Sequence, residues 1–93
     1  VAASAEPPVA IFSGPAHAAV NGPVAFDGSA SMPGSGRITA HDWDFGDTAT
    51  GTGATAVHTW AAAGVYNVKL TVTATQKDGT TALTNAMTRQ ISI

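Results

Sequence analysis

Cysteine is absent from the 93 residues of this chain, which excludes disulfide bonds and thiolate metal sites. Four residues are Lys or Arg against six Asp or Glu, giving a net charge of -2. The basic surface that binds nucleic acid or anionic membranes is therefore not expected. No apolar run approaches the roughly 20 residues of a membrane-spanning helix. The N-terminal residues lack the charged head and apolar stretch of a signal peptide, so none is expected there.

Turn-forming residues, in contrast, are frequent. The chain has 10 Gly and 5 Pro, which divide it into short segments without a convincing helical repeat. Short segments between such breaks are typical of an all-β sandwich. The length fits one domain, which we place at residues 8–93. The Ala-rich residues 1–7 before it resemble a linker.

The strongest strand pattern covers residues 65–75. Alternate positions on one face are apolar: Tyr66, Val68, Leu70, Val72 and Ala74. Such alternation is typical of an antiparallel strand with one wet face. The pair Asp78-Gly79 then predicts a hairpin and a returning strand over residues 81–93. Asn85 and Arg89 interrupt the apolar positions of that strand, which indicates a bulge or an edge position.

Further strands are predicted at residues 9–12, 23–27, 38–45 and 55–60, for about seven strands in all. No helix or lysine follows Gly51-Thr52-Gly53, so this stretch is interpreted as a flexible loop rather than a phosphate-binding loop.

Trp43 and Tyr66 fit the aromatic positions of an immunoglobulin-type core. In that fold a buried Trp lies on the third strand, and a Tyr begins a later strand two residues before the second Cys. Val68 stands at that cysteine position, where packing against Val24 or Phe26 would replace the disulfide. The predicted fold class is an all-β, immunoglobulin-like antiparallel β-sandwich without a disulfide.

Four elements in a fixed order resemble those of the PKD domain, the polycystic-kidney-disease repeat. They are Phe26-Asp27-Gly28-Ser29-Ala30-Ser31, the stretch from Ile38 to Asp47 that ends in Trp43-Asp44-Phe45-Gly46-Asp47, His58-Thr59-Trp60 and the strand from Gly64 to Thr73. The resemblance implies the same β-sandwich, with structural roles for Trp43, Asp44, Phe45, Gly46, Asp47, His58, Gly64 and Tyr66. It also implies a non-catalytic accessory module of a larger secreted or cell-surface protein, such as a secreted protease or chitinase.

The chain departs from the family pattern at several positions. Thr48 follows Asp47, where the family often has Gly. His41 and Trp60 stand at positions where the family often has Tyr. The loop at residues 32–36 carries no carboxylate, whereas the corresponding loop of the family is acidic.

A calcium site is one alternative interpretation of the acidic residues. Its candidate ligands are Asp27, Ser29, Asp42 and Asp44. Calcium takes about six to eight oxygens, usually with several carboxylates, and the acid-free loop supplies none. We therefore expect no cofactor and retain these four residues as weak calcium candidates.

Catalysis is not expected from this domain. Asp42 and Asp44 point to one side of a strand, but solvation explains them as well as acid–base chemistry does, and Asp47 is expected to cap a turn. His17, His41 and His58 form no zinc motif, although strands carrying His41 and His58 could be neighbours. Ser29 and Ser31 lack a nucleophile-elbow motif: no Gly-x-Ser-x-Gly surrounds them.

Three functions remain open for a monomeric module without nucleic-acid or membrane partners. The first is spacing or stabilising neighbouring domains. The second is weak attachment to an insoluble polymer, such as collagen, chitin or another polysaccharide, with Trp60 and Tyr66 as stacking surfaces. The third is an adhesion or surface-layer repeat that contacts another protein through the wet face of residues 67–73.

Overall fold

A computed structural model describes residues 6–93, which form two antiparallel sheets. The strands are β1 (Val24–Asp27), β2 (Arg37–Asp44), β3 (Thr50–Thr52), β4 (Thr55–His58), β5 (Val65–Thr75) and β6 (Ala82–Ser92). β1 pairs with β4, and the other sheet has the order β3-β2-β5-β6. Across residues 6–93 no helix is long and apolar enough to cross a membrane. Residues 1–5 of the predicted linker lie outside the described residues, so the boundary at residue 8 stays a prediction.

Strand β5 forms the centre of the larger sheet because it pairs with both β2 and β6. Its alternating pattern buries Val68, Leu70 and Val72 completely, each with 0% exposure. Asn67 and Lys69 face solvent between them. Complete burial of an aliphatic side chain of this size contributes about 1.5–3 kcal/mol to folding. The predicted strand and its wet face are therefore confirmed.

All six aromatic residues of the chain lie in one continuous cluster between the sheets: Phe12, Phe26, Trp43, Phe45, Trp60 and Tyr66. Trp43 meets Phe12 edge to face, with ring centroids 5.1 Å apart. Trp43 and Trp60 are each 1% exposed. Such edge-to-face pairs add about 0.5–1.5 kcal/mol beyond the burial itself. The cluster thus packs the two sheets against each other.

Tyr66 forms a tyrosine corner. Its hydroxyl donates to the carbonyl oxygen of Ala62 at 2.7 Å, which ties the start of β5 to the preceding turn. Val68, Val24 and Phe26 are all buried in the same core. The immunoglobulin-like sandwich predicted from the sequence is confirmed, with apolar packing where antibody domains have a disulfide.

The predicted strand at residues 9–12 is wrong. Isolated bridges occur only at its first residue, Val9 with Met32, and just after its last, Ser13 with Asp27. Between them the amide of Ile11 donates to the Ser31 hydroxyl oxygen at 3.0 Å instead of joining a ladder. The described residues thus contain six strands rather than about seven.

Two polar side chains of β6 hold this N-terminal segment in place. Asn85 Oδ1 accepts the amide of Ala10 at 2.9 Å, and Arg89 Nη1 donates to the carbonyl of Phe12 at 3.2 Å. β6 is an edge strand, and its register with β5 runs without a shift. The predicted edge position is therefore right and the bulge alternative wrong.

Residues 50–52 form the short strand β3, so the predicted flexible loop at residues 51–53 is wrong for its first two residues. Gly51 lies opposite Trp43 in the ladder. A Cβ at Gly51 would come within 3.2 Å of the Phe45 ring, so the glycine permits a close approach. This close packing explains why a glycine occupies a strand position here.

The fold is elongated, with principal extents of 53 × 17 × 17 Å. At one pole the amide of Glu6 donates to the Ser35 hydroxyl oxygen at 2.8 Å, close to the start of β2. At the other pole the amide of Ile93 donates to the carbonyl of Gly64 at 2.8 Å, just before β5. The length of β5, at about 3.3 Å per residue, separates the two poles by roughly 35 Å.

Candidate functional site

The Trp-Asp-Phe-Gly-Asp element forms the end of β2 and the turn into β3. Asp44 Oδ1 accepts the amide of Gly46 at 3.0 Å. Asp47 Oδ1 accepts the amide of Ala49 at 3.2 Å. Carboxylates that bond the backbone two residues ahead are typical of tight turns. Both side chains therefore shape this turn locally.

Two residues of the turn have left-handed backbone conformations. Gly46 has φ +82°, and a Cβ there would lie 2.6 Å from the carbonyl oxygen of Asn67. Thr48 has φ +75° although it is β-branched. Such a residue at positive φ is strained, and Gly is the residue that avoids the strain. The departure from the family pattern at Thr48 thus has a local energetic cost.

Asp47 also contacts His58, and this contact was not anticipated from the sequence. Asp47 Oδ2 lies 2.7 Å from His58 Nε2, with side chains 24% and 18% exposed. The imidazole stacks on Phe45 with ring centroids 4.3 Å apart and lies perpendicular to the Trp60 ring with centroids 4.6 Å apart. The pair covers one side of the aromatic cluster and joins the two sheets.

The electrostatics of this pair favour an ionised carboxylate. Partial burial tends to raise the pKa of Asp47, but the bonds from His58 and from the Ala49 amide outweigh it. The pKa of Asp47 consequently lies below its ordinary value. No hydroxyl group among the described residues bonds to His58, so the pair lacks the nucleophile of a hydrolytic triad.

Trp60 does not present the exposed ring that a stacking platform requires. It is 1% exposed, and its indole N–H donates to the carbonyl oxygen of Phe45 at 3.2 Å. The predicted platform at this position is corrected by the structure, because the ring fills the core beneath His58. Tyr66 is half-buried, and its hydroxyl is engaged by Ala62.

The four calcium candidates do not converge on one point. Asp27 ends β1 in the smaller sheet, where its Oδ1 accepts the amide and the hydroxyl of Ser29 at 2.9 and 2.5 Å. These bonds lower the pKa of Asp27. Asp42 and Asp44 lie on β2 in the other sheet. Nowhere in residues 6–93 do three His, Asp or Glu side chains meet as a metal site would require.

The histidines are also separate. His41 lies on β2 and His58 on β4, in different sheets, so the anticipated neighbouring strands are not formed. His17 bridges Ser92 through the backbone. Each histidine therefore has its own local environment.

Comparisons with known proteins all indicate one domain family. A family model described as PKD domain matches residues 5–91. Collagenase ColA of Clostridium perfringens is 39% identical over 66 residues, which are 71% of this chain. The chain spans 6% of the length of that collagenase.

Solved structures give the same picture. The PKD1 domain of the Vibrio cholerae metalloprotease PrtV is 28% identical with a TM-score of 0.76, covering 95% of this chain and 98% of that one. The PKD1 domain of Vibrio anguillarum Epp is 27% identical with a TM-score of 0.77, covering 97% and 96%. A structure from work on the promiscuous specificity of β-sandwich carbohydrate-binding modules is 31% identical with a TM-score of 0.82, covering 97% and 35%.

Proposed function

Because the chain belongs to the PKD domain family, we propose that it is a spacer that separates and stabilises neighbouring domains of a larger extracellular protein. The domain itself is not an enzyme but an accessory module, as in parent proteases of the family. Its similarity to segments of a collagenase and a metalloprotease supports a place in a longer chain outside the cell.

The observation that carries the spacer function is the position of residue 6 and Ile93 at opposite poles. A domain that the chain enters at one pole and leaves at the other, roughly 35 Å away, keeps its neighbours apart. A domain with adjacent termini would instead bring its neighbours together. The elongated shape and the location of residue 6 and Ile93 at opposite poles therefore both support a spacer function.

Both ends are fastened to the sheets. The carbonyl of Ile93 accepts the amide of Gly64 at 3.1 Å, and its own amide donates back at 2.8 Å. At the other pole Ser35 bonds both the Glu6 amide and the side chain of Gln76, at 2.8 and 2.5 Å. Residue 6 and Ile93 are therefore fixed points of the sandwich rather than fraying positions.

The test compares this domain with a disordered chain of equal length. Two spin-labelled reporter domains are fused, one before residue 6 and one after Ile93, and their distance distribution is measured. The PKD domain should give one narrow distribution. A Gly/Ser linker of equal length should give a broad one with an r.m.s. separation of about 50 Å. A distribution as broad as that of the linker would exclude the spacer function.

Attachment to an insoluble polymer is a second candidate, favoured by the similarity to a collagenase and to carbohydrate-binding modules. With Trp60 buried, such a contact would use a surface other than this ring. Depletion of the domain by collagen, chitin and cellulose tests it, with Trp60→Phe as the matched variant. Equal retention of both proteins on one polymer supports attachment away from this ring, and no retention on any of them contradicts attachment.

A further inference from the structure

A cleft of about 310 Å³ opens at the pole where residue 6 lies. It separates the loop that enters β2 from the hairpin that leaves β5. Arg37 lies opposite Thr75 in the ladder between these strands, so the pairing brings the two segments together. Every residue that lines the cleft is polar, charged or glycine. The cleft is large enough to hold one small polar unit.

Two of the four Lys and Arg residues of the chain, Arg37 and Lys77, line this cleft. Both are exposed, and among residues 6–93 the single ion pair is the one between Asp47 and His58. The cationic groups thus have no carboxylate partner in the described part of the chain. The cleft lining itself contains no carboxylate, so these two groups can hold an anion there.

The carboxylate nearest in sequence, Asp78, belongs to the hairpin itself. It accepts the amides of Thr80 and Thr81 at 2.9 and 2.8 Å and the Thr81 hydroxyl at 2.6 Å. The Thr81 and Thr80 donors lower the pKa of Asp78 to about 2. Its charge is therefore engaged by the turn and does not neutralise the cleft by contact.

The floor of the cleft holds a poorly satisfied donor. Gln76 is 8% exposed, and its Oε1 accepts the Ser35 hydroxyl at 2.5 Å. Its Nε2 reaches only the carbonyl of Ala74, at 3.4 Å, which is longer than the usual range of about 2.7–3.2 Å. An acceptor entering the cleft would give this amide a stronger bond than it has now.

We propose that this cleft binds an acidic sugar unit, with its carboxylate or sulfate at Arg37 and Lys77. A guanidinium suits a planar or multi-oxygen anion because it donates two parallel hydrogen bonds. Ser35, Thr75 and Gln76 offer donors and acceptors for sugar hydroxyls. The lining has no aromatic or large apolar side chain, which disfavours neutral sugars that stack and peptides with apolar anchors. This inference is independent of the spacer function.

The test is an NMR titration of the ¹⁵N-labelled domain at low salt, because salt screens exposed charges. Digalacturonate serves as the carboxylate probe and neocarrabiose sulfate, a disaccharide with a sulfate and no carboxylate, as the sulfate probe, with chitobiose as the neutral control. We expect saturable shifts at residues 35–37 and 75–79 with at least one acidic probe and none with chitobiose. The probe that binds more tightly identifies the anionic group.

Variants distinguish binding in the cleft from nonspecific electrostatic attraction to the protein surface. Arg37→Gln combined with Lys77→Gln should weaken binding about tenfold, since each exposed ion pair contributes up to about 1 kcal/mol. Lys69→Gln removes one positive charge from the wet face of β5, outside the cleft, and should change affinity less than about twofold. Three results would each overturn the proposal: equal losses of affinity in the double variant and in Lys69→Gln, absence of saturable shifts with both acidic probes, or an affinity for short polyglutamate equal to that for the acidic sugars.

Discussion

His58 Nε2 lies 2.7 Å from Asp47 Oδ2, and this contact joins the two sheets of the sandwich. His58 ends β4 in the smaller sheet, whereas Asp47 lies in the turn between β2 and β3 of the larger one. The imidazole is fixed from below because it stacks on Phe45. The Asp47–His58 pair, called the clamp below, thus packs on the Phe45 ring. The single Asp47 carboxylate bonds both the turn, through the Ala49 amide, and the other sheet, through His58.

Removing this carboxylate should destabilise the domain. Asp47→Ala deletes the bonds to His58 and to the Ala49 amide, so we expect the free energy of unfolding to fall by about 1–2 kcal/mol. Urea denaturation measures the change. Asp42→Ala is the matched control, because Asp42 is exposed on β2, and it should change stability by less than about 0.5 kcal/mol. Equal effects of the two substitutions would show that the clamp contributes nothing specific.

Strain at Thr48 predicts a stabilising substitution. Its φ of +75° is unfavourable for any residue with a Cβ. Thr48→Gly should raise the unfolding free energy by about 0.5–1 kcal/mol, the relief of strain being partly offset by the greater entropy of the unfolded chain. Thr48→Ala keeps the Cβ and should give little gain. If Ala and Gly stabilise equally, loss of the branched side chain rather than the backbone is the cause.

The burial of Trp60 can be checked optically. Both tryptophans are 1% exposed, so the folded domain should have blue-shifted emission that iodide hardly quenches. Unfolding in urea should restore quenching. Trp60→Phe loses the bond to the Phe45 carbonyl and some packing, and should cost about 2 kcal/mol. Quenching of half the native emission would mean that one ring is open to solvent.

The sequence predicted best the parts of the fold that rest on local pattern. The alternation over β5 and the Asp78-Gly79 turn determine the central hairpin, because period-two burial and a positive-φ turn are both visible in one chain segment. The positions of Trp43 and Tyr66 followed from their spacing in an immunoglobulin-type core.

Contacts between distant segments were not predictable in this way. Arg37 and Lys77 line one cleft only because β2 pairs with β5 in a particular register, and no local signal specifies that register. The burial of Trp60 depends on the side chains that pack against it, here His58 and Tyr66. The sequence does not specify those contacts, so an exposed ring was an equally good interpretation. Residues 9–12 have a strand-like composition, but the amides of Ala10 and Ile11 bond to side chains instead of to a neighbouring strand.

Asn85 should control the order of that N-terminal segment. Asn85→Ala removes the acceptor of the Ala10 amide, and we expect a loss of about 1 kcal/mol in stability. Hydrogen exchange at the Ala10 amide should accelerate while amides in the centre of β5 keep their protection. Thr84→Ala, on the neighbouring exposed position of β6, should leave Ala10 unaffected. Equal acceleration in both variants would indicate general loosening of β6.

The hairpin between β5 and β6 should make stability depend on acid pH. Hydrogen bonds from the Thr81 hydroxyl and amide and the Thr80 amide lower the pKa of Asp78 to about 2, against about 3.9 in an unfolded chain. Because the folded pKa is depressed, this stabilisation is present above about pH 4 and is lost as pH falls towards 2. Asp78→Asn should therefore lower the melting temperature at pH 6, and its curve should converge with that of the native protein towards pH 2. Thr81→Val, which removes the hydroxyl donor, should reduce the acid slope in the same direction. Parallel curves for the native protein and both variants would show that this carboxylate is not coupled to folding.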